Sequence, residues 1–517
     1  MIQRGVISAI LVAILSGKVW ADSSYLQQEI HQLQQKTQAL QHELDMLKQQ
    51  KTLGFASRPK ATANSSAVPS VQSKVFHQSA ITAHTIDQPE ALGFYPTALV
   101  ADEHILTYIA GTPVVTSPYT GDRPSFDGSD YIVNISSINR DIRLMQQRRR
   151  LYRAYQAIGY PAPNIPIIAI SGKSEPVASF SNPYFNQYAT DFTLGSSELD
   201  VAAILNRNVE AFISVAYDAS PPATGGPRVS NSSFNLNLGF VNIGNLDKTP
   251  FYFTAGQLYA PFGRYSSSMI TSPMTLVLAR VKTRPFILGY KSQQDNGPYA
   301  AIYGFRSEIT TNRSTIGGVN VGYTFGNRTF SGDIGMGVIG SLNDSQGMQS
   351  TGAIPFTTFG GFSSITNGSE QVKKIPGLDI HVNLNIDRYN FAAEWVGASQ
   401  TFRPQDLSFN GHGAKPQAAQ LEAGMTFKAF HKPASLALGY QWSKQTLALH
   451  LPEQRISTVF NISVWKDTVE SLEYRHDMDF KSGNFANGAA PSGMQNLNTL
   501  GTGKSADTLI AQIGVFF

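Results

Sequence analysis

From about residue 174 to the end of the chain, apolar and polar residues alternate with a period of two, the repeat of a strand whose two faces meet different surroundings. Leu378, Ile380, Val382, Leu384 and Ile386 interleave with Asp379, His381, Asn383, Asn385 and Asp387. Leu436, Leu438, Tyr440 and Trp442 interleave with Ala437, Gly439, Gln441 and Ser443, and Phe234, Leu236, Leu238 and Phe240 with Asn235, Asn237 and Gly239. The first set of each is assigned to lipid and the second to a wet lumen. The pattern predicts strands near 174–184, 196–205, 209–218, 233–243, 251–260, 283–291, 298–308, 315–326, 328–340, 376–387, 389–399, 418–428, 434–445, 455–465, 468–478 and 506–517. Connections alternate between short (206–208, 244–250, 292–297, Asn327, Arg388, 429–433, Lys466-Asp467) and long (219–232, 261–282, 341–375, 400–417, 479–505). Short turns at one end and long loops at the other describe a transmembrane antiparallel β-barrel. The expected fold class is therefore all-β, of about 16 strands, with fourteen or eighteen left open because strand ends are soft.

Both ends of the chain carry an address. Residues 1–21 read as a secretory signal: Arg4, an apolar run from Val6 to Leu15, and the cleavage pattern Val19-Trp20-Ala21. At the other end Leu509, Ala511, Ile513, Val515 and Phe517 share one face, resembling the terminal strand by which outer-membrane barrels are recognised for assembly. Between them, Leu26, Ile30, Leu33, Thr37, Leu40, Leu44 and Leu47 are spaced as an a/d seam with no Gly or Pro from Ser23 to Thr52, which predicts a coiled coil over 22–52. Its narrow apolar stripe implies a homo-oligomer; Ile at a with Leu at d favours two strands, whereas barrels of this size favour a trimer. Residues 53–92 are a Ser-, Ala- and Pro-rich tether. Residues 93–173 form a segment that either plugs the barrel or lies in the periplasm, with a helix from Asn139 to Ile158 stopped by Gly159 and Pro161.

Composition narrows the function. Charged residues are 15% of the chain and 44 residues are Gly, which suits strands and turns. A net charge of +4 with no basic tail argues against nucleic acid. The lack of Cys removes thiol nucleophiles and thiolate metal sites. The ten His residues form no Ser/His/acid arrangement, no His-x-x-His and no HExxH spacing, so neither an enzyme nor a metal or other cofactor is expected. The partners expected are lipid and a small solute.

The candidate solute-binding groups are basic. Arg140, Arg143, Arg148, Arg149, Arg150 and Arg153 all fall on the predicted helix. They could bind an anion inside the channel, since guanidinium forks match carboxylates, or form a solvated face, or neutralise acids on the wall. By strand count the third outer loop, Pro261 to Lys282, is unusually apolar (Met269, Ile270, Met274, Leu276, Val277, Leu278), which suits folding into the lumen. Arg264, Arg280, Lys282 and Arg284 would then stand at the constriction, where rings of Arg and Lys select anions, or else anchor headgroups at the rim. Charges of both signs, Glu473, Arg475, Asp477 and Asp479, are also assigned to the inner wall.

The segments GSDYIVNISSINRDIRLMQQRRRLYRAYQAIGYP and SSELDVAAILNRNVEAFISVAYD, with the signal, heptad, linker and terminal barrel around them, resemble the LbtU-type siderophore porins of Legionella and relatives over essentially the whole mature chain. The resemblance implies an outer-membrane receptor or channel for a ferric siderophore of the polycarboxylate kind. It implies facilitated diffusion without TonB, because a helical heptad stands where TonB-dependent transporters carry a coupling segment. A general or carboxylate-selective porin is the alternative.

Overall fold

The computed structural model describes residues 139–157 and most of 166–517, apart from 185–187, 219–232, 351–372, 489–499 and a few shorter stretches, together with four short strands ahead of them. The signal, coiled coil and linker expected over 1–92 lie outside the described residues.

Sixteen antiparallel strands close on themselves. Strand β1 is interrupted, Ile167–Ser174 then Val177–Asn182, and so is β2, Ala189–Thr193 then Glu198–Ile204. There follow β3 Val209–Asp218, β4 Ser233–Gly244, β5 Phe251–Tyr259 and β6, formed by Lys282–Thr283 and Phe286–Lys291. Next come β7 Gly297–Arg306, β8 Thr315–Gly326, β9 Phe330–Ile339, β10 Gly377–Ile386 and β11 Tyr389–Ala398. The last five are β12 Gln417–Ala429, β13 Lys432–Lys444, β14 Gln454–Ile462, β15 Thr468–Met478 and β16 Ser505–Phe516. Closure comes from β16 pairing back along β1, from Asp507↔Asn182 to Phe516↔Lys173. A hairpin of Ile105–Ile109 and Thr112–Thr116 extends the sheet at this seam, lying parallel to β1 from Val114↔Ile168 to Thr116↔Ile170.

The alternation predicts most of the wall. Phe286, Leu288, Ile302, Ile334, Met336, Ile380, Leu438, Leu472 and Leu509 are exposed on the outside, while Asp379, His381, Gln441, Ser443, Glu473 and Asp477 are buried inside. An apolar band outside a closed antiparallel barrel is the signature of an outer-membrane span. No described helix is long and apolar enough to cross a membrane; the strands do so.

Two expectations need correction. β1 and β2 begin earlier than alternation suggested, because Glu175-Pro176 and the left-handed Gly195 (φ 57°) break both strands at the same level. Proline offers no ladder donor, and glycine takes the positive φ at little cost. Of the four β4 residues assigned to lipid, Phe234 and Leu236 face outward, whereas Leu238 and Phe240 are buried in the interior and Val241 and Ile243 are exposed instead. The register against β3 skips a residue between Leu236 and Leu238, and one extra residue exchanges the faces of everything beyond it. The Gln257 side chain takes up the carbonyls of Leu236 and Asn237 that the bulge leaves unladdered.

Inward tyrosines lie flat over glycines of the next strands. The Tyr252 ring covers Gly289, Tyr303 covers Gly318, and the Tyr299 hydroxyl lies over Gly322 and Gly335; a Cβ at any of these glycines would overlap the ring or hydroxyl. Replacing Gly318 with Val is expected to unseat Tyr303 and destabilise the barrel by about 1–3 kcal/mol. The check is urea unfolding, followed by the gel shift between folded and unfolded barrel. An unchanged midpoint would show that the ring has room to move.

Candidate functional site

Two elements occupy the lumen, tied to different parts of its wall. The first is helix α1, Arg140–Ala157. Residues 140–149 are buried on every side, charged groups included, which an isolated amphipathic helix would not show. Asn139, at φ 62°, turns the chain into the helix. Arg140 lies 3.9 Å from Glu198 of β2 and over the Phe212 ring of β3, with 5.4 Å to its centroid. Thr254 of β5 donates to the Asp141 carboxylate (3.1 Å), and the Asn242 amide of β4 donates to its carbonyl (3.0 Å). Burial pushes the Asp141 carboxyl above its usual range, against the pull of hydrogen bonds from Ile142 and Thr254 and of the Arg143 charge. Arg148 lies 3.4 Å from Glu210 of β3 and donates to the Gly244 carbonyl at 2.5 Å, and Arg149 donates to the Gln293 carbonyl at 3.2 Å. Gly244 ends β4 and Gln293 follows β6, so the C-terminal half of α1 points to the short-turn end of the barrel. The inward Leu238 and Phe240 share one apolar cluster with Phe212, Leu144 and Met145: the bulge turns apolar side chains inward on the wall where the helix docks. The side chains of Arg150 and Arg153 lie outside the described residues.

The second element is the loop between β5 and β6, here called L3, which carries the short helix α2, Met274–Ala279. It crosses to the wall formed by β11 to β15 and ties to a row of buried acids there. Glu394 of β11 accepts from the backbone N–H of Arg264 (2.6 Å) and Tyr265 (3.0 Å), the Thr275 hydroxyl (2.9 Å) and the Gln420 amide (3.1 Å). Glu422 of β12 accepts from the Ser267 hydroxyl (2.8 Å), the Ser268 N–H (2.7 Å) and the Ser268 hydroxyl. Glu473 of β15 accepts from the Thr271 N–H (2.9 Å) and hydroxyl (2.5 Å), and Gln441 of β13 accepts from the Met274 N–H (2.7 Å). Backbone amides aimed at carboxylates make strong, charge-assisted bonds. The inward folding anticipated from the loop's apolar residues is therefore present, with Met269, Met274 and Leu278 buried. Tyr265 is buried beside Glu394 and Asp379, and burial above all holds its phenol well above the ordinary value.

The basic residues of L3 are scattered. Arg264 lies 3.5 Å from Asp333, which lies 3.4 Å from His381, and His381 lies 2.8 Å from Asp379. Arg280 stacks over Tyr259, 4.4 Å to the centroid, and donates to Gln346 at 3.1 Å. Arg284, between the two pieces of β6, is exposed and donates to the Gln257 side chain at 3.3 Å. Lys282 donates to the Asn237 side-chain oxygen at 2.7 Å, and the Asn237 side-chain amide donates to Glu198 at 3.1 Å. Glu198 faces Arg140, so a polar chain of Lys282, Asn237, Glu198 and Arg140 links the base of L3 to the helix through the bulge.

Asp379, His381 and Glu394 bring ligand-type atoms within 4.8 Å of one another. Glu394 already accepts from four donors and Arg264 supplies a counter-charge at Asp333. The arrangement reads as an ion-pair knot that braces L3 rather than a cation centre. Farther out, Lys374 lies 3.5 Å from Asp344 and donates to Ser307; burial lowers its amine pKa against the pull of Asp344. Sequence reasoning named the arginines but, apart from Glu473, not the acids that hold them and the loop. Period-two patterning puts Glu198, Glu210, Glu394 and Glu422 on inner faces, and a carboxylate there was the available signal.

No family model matches the chain. A UPF0422 protein of Legionella pneumophila strain Paris is 64% identical over 472 residues, covering 91% of this chain and 89% of that protein. Its counterpart in strain Philadelphia 1 is 66% identical over 445 residues, 86% and 84% of the two chains. A UPF0422 protein of Coxiella burnetii is 35% identical over 406 residues, 77% and 83%. Among solved structures, an anion-selective porin from Comamonas acidovorans aligns with a TM-score of 0.43 at 11% identity, over 68% of this chain and 100% of that one. The outer membrane channel DcaP of Acinetobacter baumannii aligns with a TM-score of 0.43 at 11% identity, over 69% and 99%.

Proposed function

The chain belongs to the UPF0422 family, and we propose that it is a solute-selective outer-membrane channel for an anionic ferric chelate, a siderophore of the polycarboxylate kind. One observation carries this reading: an arginine-bearing helix is docked inside the lumen by buried ion pairs, alongside a tied-down L3. A general diffusion pore gains nothing from filling its bore from two parts of its wall, whereas a selective pore needs fixed groups at close quarters. The polar chain from Lys282 to Arg140 carries two cations against the one carboxylate of Glu198, a net charge of the sign that a polycarboxylate needs. The resemblance to LbtU-type siderophore porins supplies the cargo class. In this reading the short turns and the N-terminal segment face the periplasm. The heptad over 22–52 joins copies into a homo-oligomer, and the chelate passes down its gradient without coupling to TonB.

A carboxylate-selective porin would use the same basic groups, and the two readings part on binding. The test is single-channel conductance in planar bilayers, with and without ferric polycarboxylate siderophore. The expected result is concentration-dependent blockade at chelate levels where the same concentration of acetate does nothing. Conductance indifferent to the chelate would overturn the siderophore reading and leave the porin.

A further inference from the structure

We infer that the inner wall at the long-loop end of the barrel carries an entry site for a carboxylate-bearing solute, made by Arg475 of β15 and the Tyr184 phenol beyond β1. The inference rests on the channel reading above and names a station outside L3 and α1 at which an anionic solute is held.

The strands fix where these groups stand. On β15, Leu472 and Tyr474 are exposed on the outside while Glu473 and Asp477 are buried inside, and Arg475 shares the inner face with the two acids. Arg475 lies near the end of β15 that runs into the long 479–505 connection, and Arg455 lies at the start of β14, next to it. Tyr184 follows the second piece of β1 at the same end. The seam joins them, because Thr508 of β16 pairs with Arg475 on one side and with Ser181 of β1 on the other. The Tyr184 phenol accordingly feels the charges of Arg455, Arg475, Asp477 and Asp479.

The two arginines share one carboxylate unequally. Arg455 holds Asp477 by both oxygens, from Nε at 2.6 Å and Nη2 at 3.3 Å, the bidentate fit of guanidinium to carboxylate. Arg475 approaches the same group with Nε, 3.0 Å from Oδ2, but that nitrogen makes no hydrogen bond. Its Nη2 reaches the Thr508 hydroxyl at 3.5 Å, beyond the usual range. A guanidinium has five N–H donors, and among the described residues this one meets a single long acceptor. Its side chain stays 23% exposed, against 9% for Arg455 and 8% for Asp477. The nearby acids are closed by other donors: Glu473 by the Thr271 N–H and hydroxyl, Asp479 by the Phe480 N–H and by Thr502. What this part of the inner wall leaves open is thus the Arg475 fork, which suits a carboxylate. Burial above all holds the Tyr184 phenol above its ordinary value, so it stays protonated and adds a donor. Glu473, the next inward residue along β15, ties L3, so a solute held at Arg475 stands beside that loop.

The experiment uses the purified full-length protein in planar bilayers, with citrate as the probe and the reversal potential in a KCl gradient as a second readout. Arg475→Gln is expected to raise the half-blocking citrate concentration about tenfold, since it removes a charge-assisted fork, and to shift the reversal potential toward cations. Tyr184→Phe should raise the half-blocking concentration about threefold and leave the reversal potential unchanged, because no charge is altered. Asp477→Asn should act in the opposite sense: it frees the Arg455 fork as well, lowers the half-blocking concentration and shifts the reversal potential toward anions. A cluster that only braces the wall would instead weaken blockade in Asp477→Asn as it does in Arg475→Gln, and that result overturns the site. So does a wild type that citrate fails to block, which needs no variant to fold. Blockade by the ferric chelate that survives Arg475→Gln and Tyr184→Phe unchanged also overturns it, while the channel reading stands. Citrate blockade with the expected variant effects, but indifference to the ferric chelate, supports the site and removes the siderophore.

Discussion

Replacing Glu394 with alanine is expected to release L3 from the barrel wall, raising the single-channel conductance and lowering stability together. The side chain gathers four donors from three places: two consecutive backbone N–H groups where L3 enters the lumen, the hydroxyl of Thr275 on α2, and the amide of Gln420 on the next strand. Alanine leaves all four buried without an acceptor. Each orphaned donor costs about 1–3 kcal/mol, and water entering the released space will meet part of that demand, so a loss on the order of 3–6 kcal/mol is expected. The neighbouring ties at Glu422 and Glu473 hold the loop farther along. Adding Glu422→Ala should therefore open the pore further, and Glu394→Gln, which keeps one carbonyl oxygen as acceptor, should lie between wild type and alanine. Conductance and the urea midpoint of the gel shift measure the two effects. A destabilised barrel with unchanged conductance would mean that L3 does not limit passage.

The acids that carry this prediction show why some of the molecule is legible in its sequence and some is not. Period two is a local property, so the inner and outer faces of β10, β13 and β15 follow directly from neighbouring residues. The bulge at Asn237 is invisible to the same reasoning, because the alternation of Phe234 to Phe240 runs on without a break while the backbone slips by one. What stabilises the slip lies on the next strand, in Gln257, and against Phe212 and the helix. L3 was readable as an inward loop from its buried Met269, Met274 and Leu278. Its anchoring was not, since the donors are mostly backbone amides and carry no residue signature. The arginines of α1 were readable as chemistry, but the partners of Arg140 and Arg148 are 58 and 62 residues away in sequence (198 − 140 and 210 − 148). Only the closed barrel brings them together.

Those distant pairs make the second large effect. Reversing the charge of Glu210 to Arg is expected to undock α1 and open the bore on the side where the helix docks. Arg148 and Glu210 are 3.4 Å apart and both nearly solvent-free. Glu210 also accepts from Asn242 at 2.9 Å, and Asn242 donates to the Asp141 carbonyl. Two guanidinium groups cannot share that enclosure. Losing one partner of a buried pair already costs about 3–5 kcal/mol, and a second positive charge adds repulsion. The strands do not need the helix to pair, so the barrel should remain folded by the gel-shift criterion while its conductance rises. The reciprocal change, Arg148→Glu in the Glu210→Arg background, restores opposite charges and should recover much of the closed conductance. Arg148→Glu alone should behave like Glu210→Arg. If the double exchange conducts as freely as either single one, the pair is not what holds the helix. The docking would then rest on the apolar cluster that Leu144 and Met145 share with Phe212, Leu238 and Phe240, and Phe240→Ser would be the change that opens the channel.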